Sequence, residues 1–527
     1  MNLITDAWLP VIRRDGQRER IAPWQIAEAE NPIIELDAPR ADFQGALYQF
    51  LIGLLQTTFA PEDVEVWAKF WEEGLPLDEL KVAFASVGNA FELDSPDKPA
   101  FLQDYDLAEG EPKSISALLI EAPGGKTLKD NLDHFIKRGR VKCLCPSCTA
   151  QALFTLQTNA PSGGVGHRVG LRGGGPLTTL VLPLEADSSL WQKLWLNILD
   201  RESLSVAGDV ASPAVFPWLG PTRLSDKKGS ETTPEDVSPL QMYWGMPRRI
   251  RLLQRRENIH CDLCGFDAAY GFDGYRSKNY GTNYDGPWLH PLTPYRFDPK
   301  KKNLPLSLKG QQGGLGYRHW LGLTLQDRDN GDTSAKVTEH FRHEKSEEIE
   351  ELCSTRLWCF GYDMDNMKAR CWYEQTFPLL RLDKQQQSQL MESVGDMLRC
   401  ARLAVYLLKA HVKEAWFNSP GDVKGDMSHV ESPFWQDSEA DFYRLLYELA
   451  EQPAGAPFPS TVFQQWPRLL FKQLMLAFDR WTLEAPPEDL DMKRIVLARE
   501  KLKKLFWGNR VIKLMKKRAL PAEEVSP

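Results

Sequence analysis

The chain has 527 residues and a mass of 60.0 kDa, and its 64 Lys and Arg against 72 Asp and Glu leave a formal charge of −8. Hydrophobic residues at 42% and charged residues at 26% exclude the compositions of disordered, collagenous and membrane-bundle chains and leave a globular protein with a large core. The length favours two or more domains of roughly 100–200 residues each.

No apolar run approaches the roughly 20 residues that span a bilayer, and the start MNLITDAWLPVIRRDG lacks a charged region followed by a continuous apolar stretch. The expected location is cytoplasmic, with no membrane partner. Nine cysteines are an odd number in so long a chain. Four of them form two CxxC pairs, which favours metal binding over a disulfide framework.

The first ~380 residues mix short β-type runs such as LTTLVLPL (177–184) with loops rich in Gly, Pro and Asp, a texture that suits a large α+β domain with long functional loops. Asp133 to Lys142 is a basic stretch with Phe135 inside it, able to grip a sugar-phosphate chain and stack a base, though an ordinary exposed loop reads the same way. Next come Cys145-Pro-Ser-Cys148 and, much later, Cys261-Asp-Leu-Cys264. Each knuckle places two thiolates on one tetrahedral ion, so together they make a closed Cys₄ zinc site. Such a site has no open coordination position, and its expected role is structural. A redox CxxC is the competing reading, and Cys143 and His260 are possible replacement ligands. Cys353, Cys359, Cys371 and Cys400 are scattered and read as buried thiols.

After the first knuckle runs a glycine-rich block from Pro161 to Gly175. Glycine at this density lets a backbone take φ > 0 and approach a phosphate or a nucleic-acid groove closely. The block fails the dinucleotide fingerprint, because Val169 stands where the third glycine belongs, and it fails Walker A for want of a GK[ST]. A flexible surface loop competes, but His167, Arg168 and Arg172 among the glycines favour a polyanion contact. Tyr275 to Tyr280 again sets cations between aromatics. His340, His343 and Glu344 do not form HExxH, there is no GxSxG, and no carboxylates stand at an obvious two-metal spacing, so a binding role is favoured over catalysis.

From about Gln385 the periodicity becomes helical. Leu390, Val394, Met397, Ala401, Val405 and Leu408 form one stripe; Phe442, Leu445, Leu446 and Leu449 a second; Trp466, Leu470, Leu474, Phe478 and Trp481 a third; Ile495, Ala498, Leu502 and Leu505 a fourth. Four amphipathic helices joined by Pro, Gly and Asp-rich connections imply a four-helix bundle, which places the domains at 1–384 and 385–527. Residues 493–518 hold 11 Lys and Arg and one acid, a face for a polyanion or simply a solvated one.

Taken together, these pieces resemble the CasA family, the large subunit of the type I-E CRISPR Cascade surveillance complex. The resemblance is carried by Met1-Asn-Leu-Ile-Thr-Asp-Ala-Trp-Leu-Pro-Val11, by Leu144-Cys-Pro-Ser-Cys-Thr-Ala150 with Ala160-Pro161 and Gly170-Leu-Arg-Gly-Gly174, and by Phe360 to Arg370 followed by the helical segments. It implies a non-catalytic subunit of an RNA-guided antiviral ribonucleoprotein. Such a subunit recognises the protospacer-adjacent motif in double-stranded target DNA, promotes strand opening and supports recruitment of a helicase-nuclease. Its partners would be guide RNA and the other Cascade subunits.

Carried over by position, the family's glycine loop falls on Ser162, Gly163, Gly164, Val165 and Gly166, with Val165 replacing one glycine. The family's lysine finger falls on Asn279, with Lys278 beside it as the favoured contact. The wedge turn becomes Asp365, Asn366, Met367 and Lys368, where Asn366 stands nearest the family's glutamine and Met367 offers an apolar wedge. The guide-RNA docking loop supplies Phe135, Lys137 and Arg138. Two other readings stay open: a zinc-stabilised, metal-dependent enzyme on nucleic acid using His340, His343 and Glu344, and a purely architectural scaffold.

Overall fold

The computed structural model describes residues 1–95, 99–122, 129, 137, 139–204, 208–255, 257–349, 354–365, 368–453, 455–484 and 490–518. The chain separates into two compact units, Met1–Gln311 with Ser334–Leu379, and Gln312–Thr333 with Leu380–Pro527.

The first unit is mixed α/β. Strand β1 (Leu9–Arg13) lies between β2 (Arg18–Ile21) and β3 (Ile33–Leu36) in an antiparallel sheet. The following helix α1 (Ala41–Thr58) is buried along most of its length, because the run LYQFLIGLL is apolar all round. Its Phe50 ring meets the edges or faces of Trp8, Phe91, Phe101, Phe154 and Trp244, with centroids 5.3 to 6.0 Å away, and this aromatic cluster is the centre of the core.

Strand β4 (Glu111–Ser114) precedes helix α2 (Pro146–Asn159), which packs on α1. Proline at the first helical position costs α2 nothing, since that N–H has no partner within the helix. Strand β5 (Thr178–Pro183) is buried at every residue, in keeping with its continuous TTLVLP run. Strands β6 (Arg249–Arg255) and β7 (Gly271–Lys278) pair antiparallel, and β4 adds to the other edge of β7. Strands β8 (Thr355–Asp365) and β9 (Lys368–Leu379) form a long hairpin, paired from Thr355↔Leu379 to Asp365↔Lys368 with a bulge between Asp363 and Met364, and β5 lies on the far side of β8.

The second unit is largely helical. Helix α3 (Lys384–Trp416) starts at a capping box of Asp383 and Gln386 and packs against α4 (Ser428–Ala450), α5 (Ser460–Leu483) and α6 (Met492–Gly508). The α3 stripe expected from periodicity is buried at all six positions. On α6 the stripe ends differently: Leu505 is 42% exposed, and Phe506 is buried against the Phe471 ring. The basic segment is also not one helix. It breaks at Asn509, whose side chain accepts from the Val511 N–H at 2.9 Å, and resumes as α7 (Arg510–Arg518).

Residues 312–333 belong with these helices, although nothing in their composition sets them apart from the segment before them. Tyr317 is buried, stacks on Phe442 at 4.4 Å and shares a 2.9 Å hydrogen bond with Ser438. Among the described residues, no helix is long and apolar enough to cross a membrane.

Candidate nucleic-acid interface and metal centre

The four knuckle cysteines come together. Their sulfurs all lie within 4.8 Å of one another, so the cluster can hold a metal ion. Cys145 sits at the N-cap of α2, where its sulfur accepts from the Cys148 N–H at 3.5 Å, and helix geometry thereby points both thiols at one spot. The second knuckle is closed by the Gly265 N–H on the Cys261 carbonyl (2.9 Å) and the Cys261 N–H on the Phe266 carbonyl (3.0 Å).

Asp262 ties the knuckles together by accepting from the backbone N–H groups of Lys142 and Cys143 at 2.6 and 2.9 Å. Hydrogen bonds from Cys145 and Cys148 hold the Cys264 thiol down to about 6 and drive Cys261 lower still, while Cys145 and Cys148 are pushed up as the donors. Four soft sulfur donors converging on one point, two of them held as ready thiolates, match a closed thiolate site. Cys143 and His260 are not in the cluster.

Arg20, which sequence reasoning missed, reaches the cluster from β2. Its guanidinium lies 3.5 Å from the Cys264 sulfur and 3.9 Å from that of Cys145, and it stacks over the Phe266 ring at 3.8 Å.

The glycine block divides into two parts. From Ser162 to Val165 it is exposed, with Val165 at 77%. Among the described residues, the backbone N–H groups of Gly163 to Gly166 donate to no protein acceptor, whereas the His167 N–H closes a turn on the Gly164 carbonyl at 3.2 Å. Gly164 (φ +88°) and Gly166 (φ +74°) hold left-handed conformations that a side chain resists.

This loop meets the end of β7. The Asn279 side-chain amide donates to the Val165 carbonyl at 2.8 Å, and the Tyr280 N–H donates to the Gly166 carbonyl at 2.8 Å. Lys278, the last residue of β7, is exposed next to that junction. Two candidate segments separated by more than a hundred positions are thus one surface feature. Arg248 braces the base of the loop, with one amino group 2.7 Å from His167 Nδ1 and another bonded to the Pro161 carbonyl. Burial pulls Arg248 down to about 10 and lowers His167.

The two arginines of the block are not surface cations, contrary to expectation. Arg168 gives its Nε–H and an amino group to Ser225, both at 2.7 Å. Arg172 is buried and donates to Thr178, Thr293 and Gln49. The block ends at Gly175 (φ +59°), where an added Cβ would stand 2.8 Å from Tyr362 Cβ and 2.9 Å from Met364, so the β8–β9 hairpin packs on its backbone.

Near the hairpin end the buried Asp363 carboxylate takes a two-pronged grip from Arg370 at 3.0 and 2.8 Å, and Asp365 is exposed beyond it. Asn366 and Met367 lie outside the described residues, as do Phe135 and Arg138; Lys137 is exposed.

A second group able to hold a metal comprises Asp200, His340 and Glu344; His343 is not part of it. His340 Nε2 lies 2.6 Å from Asp200 and 3.3 Å from Glu344. Asp200 also accepts from the Ser203 N–H and hydroxyl at 2.8 and 3.0 Å, so it holds a turn as well. Burial brings the neighbouring Lys345 down to about 7.

On α6 and α7, Arg494, Arg499, Lys501, Lys503 and Arg518 are ion-paired to carboxylates. Lys493, Lys504, Arg510, Lys513 and Lys517 have no such pair among the described residues.

The family model of the CRISPR-associated protein Cse1 matches residues 2–477. The solved CasA (Cse1) of Thermus thermophilus is 20% identical, with a TM-score of 0.69 over 96% of this chain and 99% of that one. Cse1 from Acidimicrobium ferrooxidans is 17% identical, with a TM-score of 0.68 and 99% of each chain covered. A chain of a CRISPR RNA-guided surveillance complex is 17% identical, with a TM-score of 0.68 over 96% of this chain and 99% of that one. At these identities the likeness is one of fold.

Proposed function

The chain belongs to the CRISPR-associated Cse1 family, and from that premise we propose that it is the large, non-catalytic subunit of an RNA-guided Cascade complex that reads the protospacer-adjacent motif in duplex DNA. The observation that carries this reading is the junction of Val165 and Gly166 with Asn279 and Tyr280. It presents a run of backbone N–H groups that have no acceptor among the described residues, on an exposed loop without bulky side chains apart from Val165. Guide pairing supplies most of the sequence specificity in such complexes, so the protein need read only a short motif and its shape. In the minor groove the base edges offer mainly acceptors, and a narrow groove admits backbone where side chains would clash.

In this reading Ser162 to Gly166 enter the groove, Lys278 approaches the adjoining phosphates, and Asn279 holds the loop in place. The turn Asp365, Asn366 and Met367 acts as the wedge that opens the first base pair, held at its base by the Asp363–Arg370 pair. Lys137, with Phe135 and Arg138, docks on the guide RNA. The helices after Lys384 form a four-helix bundle extended by α7, and their basic face meets nucleic acid or neighbouring subunits. Duplex opening then supports recruitment of the helicase-nuclease, and the complex works in the cytoplasm.

Zinc is the ion we assign to Cys145, Cys148, Cys261 and Cys264, with a structural role. When bound, a closed Cys₄ ion contributes folding free energy and no reactive position. The residues around it pin α2, and hence the start of the glycine block, to the loop before β7.

Reconstitution tests the proposal. Added to guide-loaded partner subunits, the chain should co-migrate with them and raise affinity for target duplex. A chain that joins without changing duplex affinity is a scaffold, and one that never joins is not a Cascade subunit.

A further inference from the structure

Arg172 poses an electrostatic problem that its hydrogen bonds do not solve. The residue is 6% exposed, and its three acceptors, Thr178 Oγ1 at 3.1 Å, Thr293 Oγ1 at 2.9 Å and Gln49 Oε1 at 2.5 Å, are all neutral. No ion pair involves it among the described residues. A buried charge without a counter-charge is expensive, and such groups are ordinarily paired. Burial lowers Arg172 only to about 10, so the guanidinium is still a cation at neutral pH.

Beside it lies a cavity of ≈ 20 Å³ lined by Gln49, Gln157, Arg172, Tyr243 and His290 among others, with no Asp or Glu in the lining. The Tyr243 hydroxyl is buried and has no hydrogen-bond partner among the described residues. His290 accepts the Leu292 N–H on Nδ1 at 3.1 Å, which places the proton of the neutral ring on Nε2. Burial keeps that ring neutral by lowering it well below the usual imidazole range. The space is therefore walled by the apolar Phe154, Leu171 and Met242 and by polar groups that include the Tyr243 hydroxyl, the neutral His290 ring and one unmatched cation, Arg172, with no carboxylate among them. Water would satisfy the tyrosine but bring no charge. The volume holds about one or two water-sized particles, too few for sulfate or phosphate.

We propose that Arg172, Tyr243 and His290 form a binding site for one monatomic anion of chloride size. The anion neutralises Arg172 and accepts from the Tyr243 hydroxyl. It thereby anchors the buried half of the glycine block, where the Arg172 carbonyl also accepts the Ser307 hydroxyl at 2.5 Å. The inference is independent of what the exposed half of the block binds.

The test is thermal unfolding of the full chain in sodium chloride, sodium bromide and sodium gluconate at one ionic strength, wild type beside Tyr243→Phe. Chloride and bromide should raise the wild-type Tm saturably by about 2 °C over gluconate. Tyr243→Phe should fold, since its lost hydroxyl has no partner among the described residues, and should lose that rise. Equal melting in all three salts, or an undiminished halide effect in the variant, overturns the proposal. Should the variant fail to fold, wild-type crystals grown in bromide decide it: an anomalous peak within hydrogen-bond distance of Arg172 supports the site, and its absence refutes it.

Discussion

Asn279 Nδ2 donates to the Val165 carbonyl at 2.8 Å across 114 positions of sequence, and the next N–H in the chain, that of Tyr280, closes on Gly166. The exposed glycine loop therefore owes its position to the end of β7. An alanine at Gly166 would take φ +74° and set its Cβ 2.8 Å from Asn279 Cβ and 3.1 Å from the Tyr280 N.

The left-handed conformation alone costs roughly 1–2 kcal/mol for an L-residue. We expect Gly166→Ala to weaken duplex binding by the assembled complex roughly tenfold. Asn279→Ala, which removes one hydrogen bond, should act in the same direction more weakly. Gel-shift titrations check both, and unchanged affinity in both would separate the loop from DNA.

Cys145→Ser should lose the bound metal and lower the melting temperature of the large unit. Mass spectrometry under native conditions reads the metal directly. Arg20→Met should keep the metal at full stoichiometry but weaken its affinity about tenfold, because the guanidinium next to Cys264 and Cys145 offsets thiolate charge. A competition titration with a chelator measures the difference.

Burial, with the Lys345 ammonium nearby, lowers His340 to about 4, against the opposing pull of Asp200. The unfolded imidazole titrates near 6.5. Between these values the unfolded chain binds more protons than the native one, so stability rises with pH through the window. This contribution is complete above about pH 6.5 and lost as pH falls toward 4, by up to ~3 kcal/mol. His340→Gln should flatten urea-unfolding stability between pH 4.5 and 6.5. An unchanged slope in the variant would contradict the assignment.

Lys504, Lys513 and Lys517 project from α6 and α7 without ion pairs among the described residues. If this face meets a duplex backbone, replacing all three by Glu should lower the slope of log affinity against log salt by about 0.9 for each phosphate no longer neutralised. An unaltered slope assigns the face to a protein neighbour instead.

Local spacing made some of this readable in the sequence. The α3 stripe at 390, 394, 397, 401, 405 and 408 is buried throughout because helical period and core burial coincide. CxxC spacing likewise revealed the cysteine cluster, since two residues between thiols suit one helical turn or knuckle. What depended on long-range partners was not readable. Arg168 and Arg172 among glycines look like surface contacts for a polyanion, yet their protein acceptors are Ser225, Gln49, Thr178 and Thr293, chosen by the tertiary fold. Arg20 lies 125 positions from Cys145, and Asp200 lies 140 from His340, with no local signal for either. The end of the α6 stripe went to Phe506 because the larger ring fills the space beside Phe471, leaving Leu505 outside.

The most direct measurement is selection of target duplexes with randomised flanks by the guide-loaded complex carrying this chain, wild type beside Asn366→Ala. The account predicts enrichment of a short flanking motif and a clear loss of affinity for it in the variant. A complex that incorporates the chain, yet binds every flank equally in both forms, would contradict it.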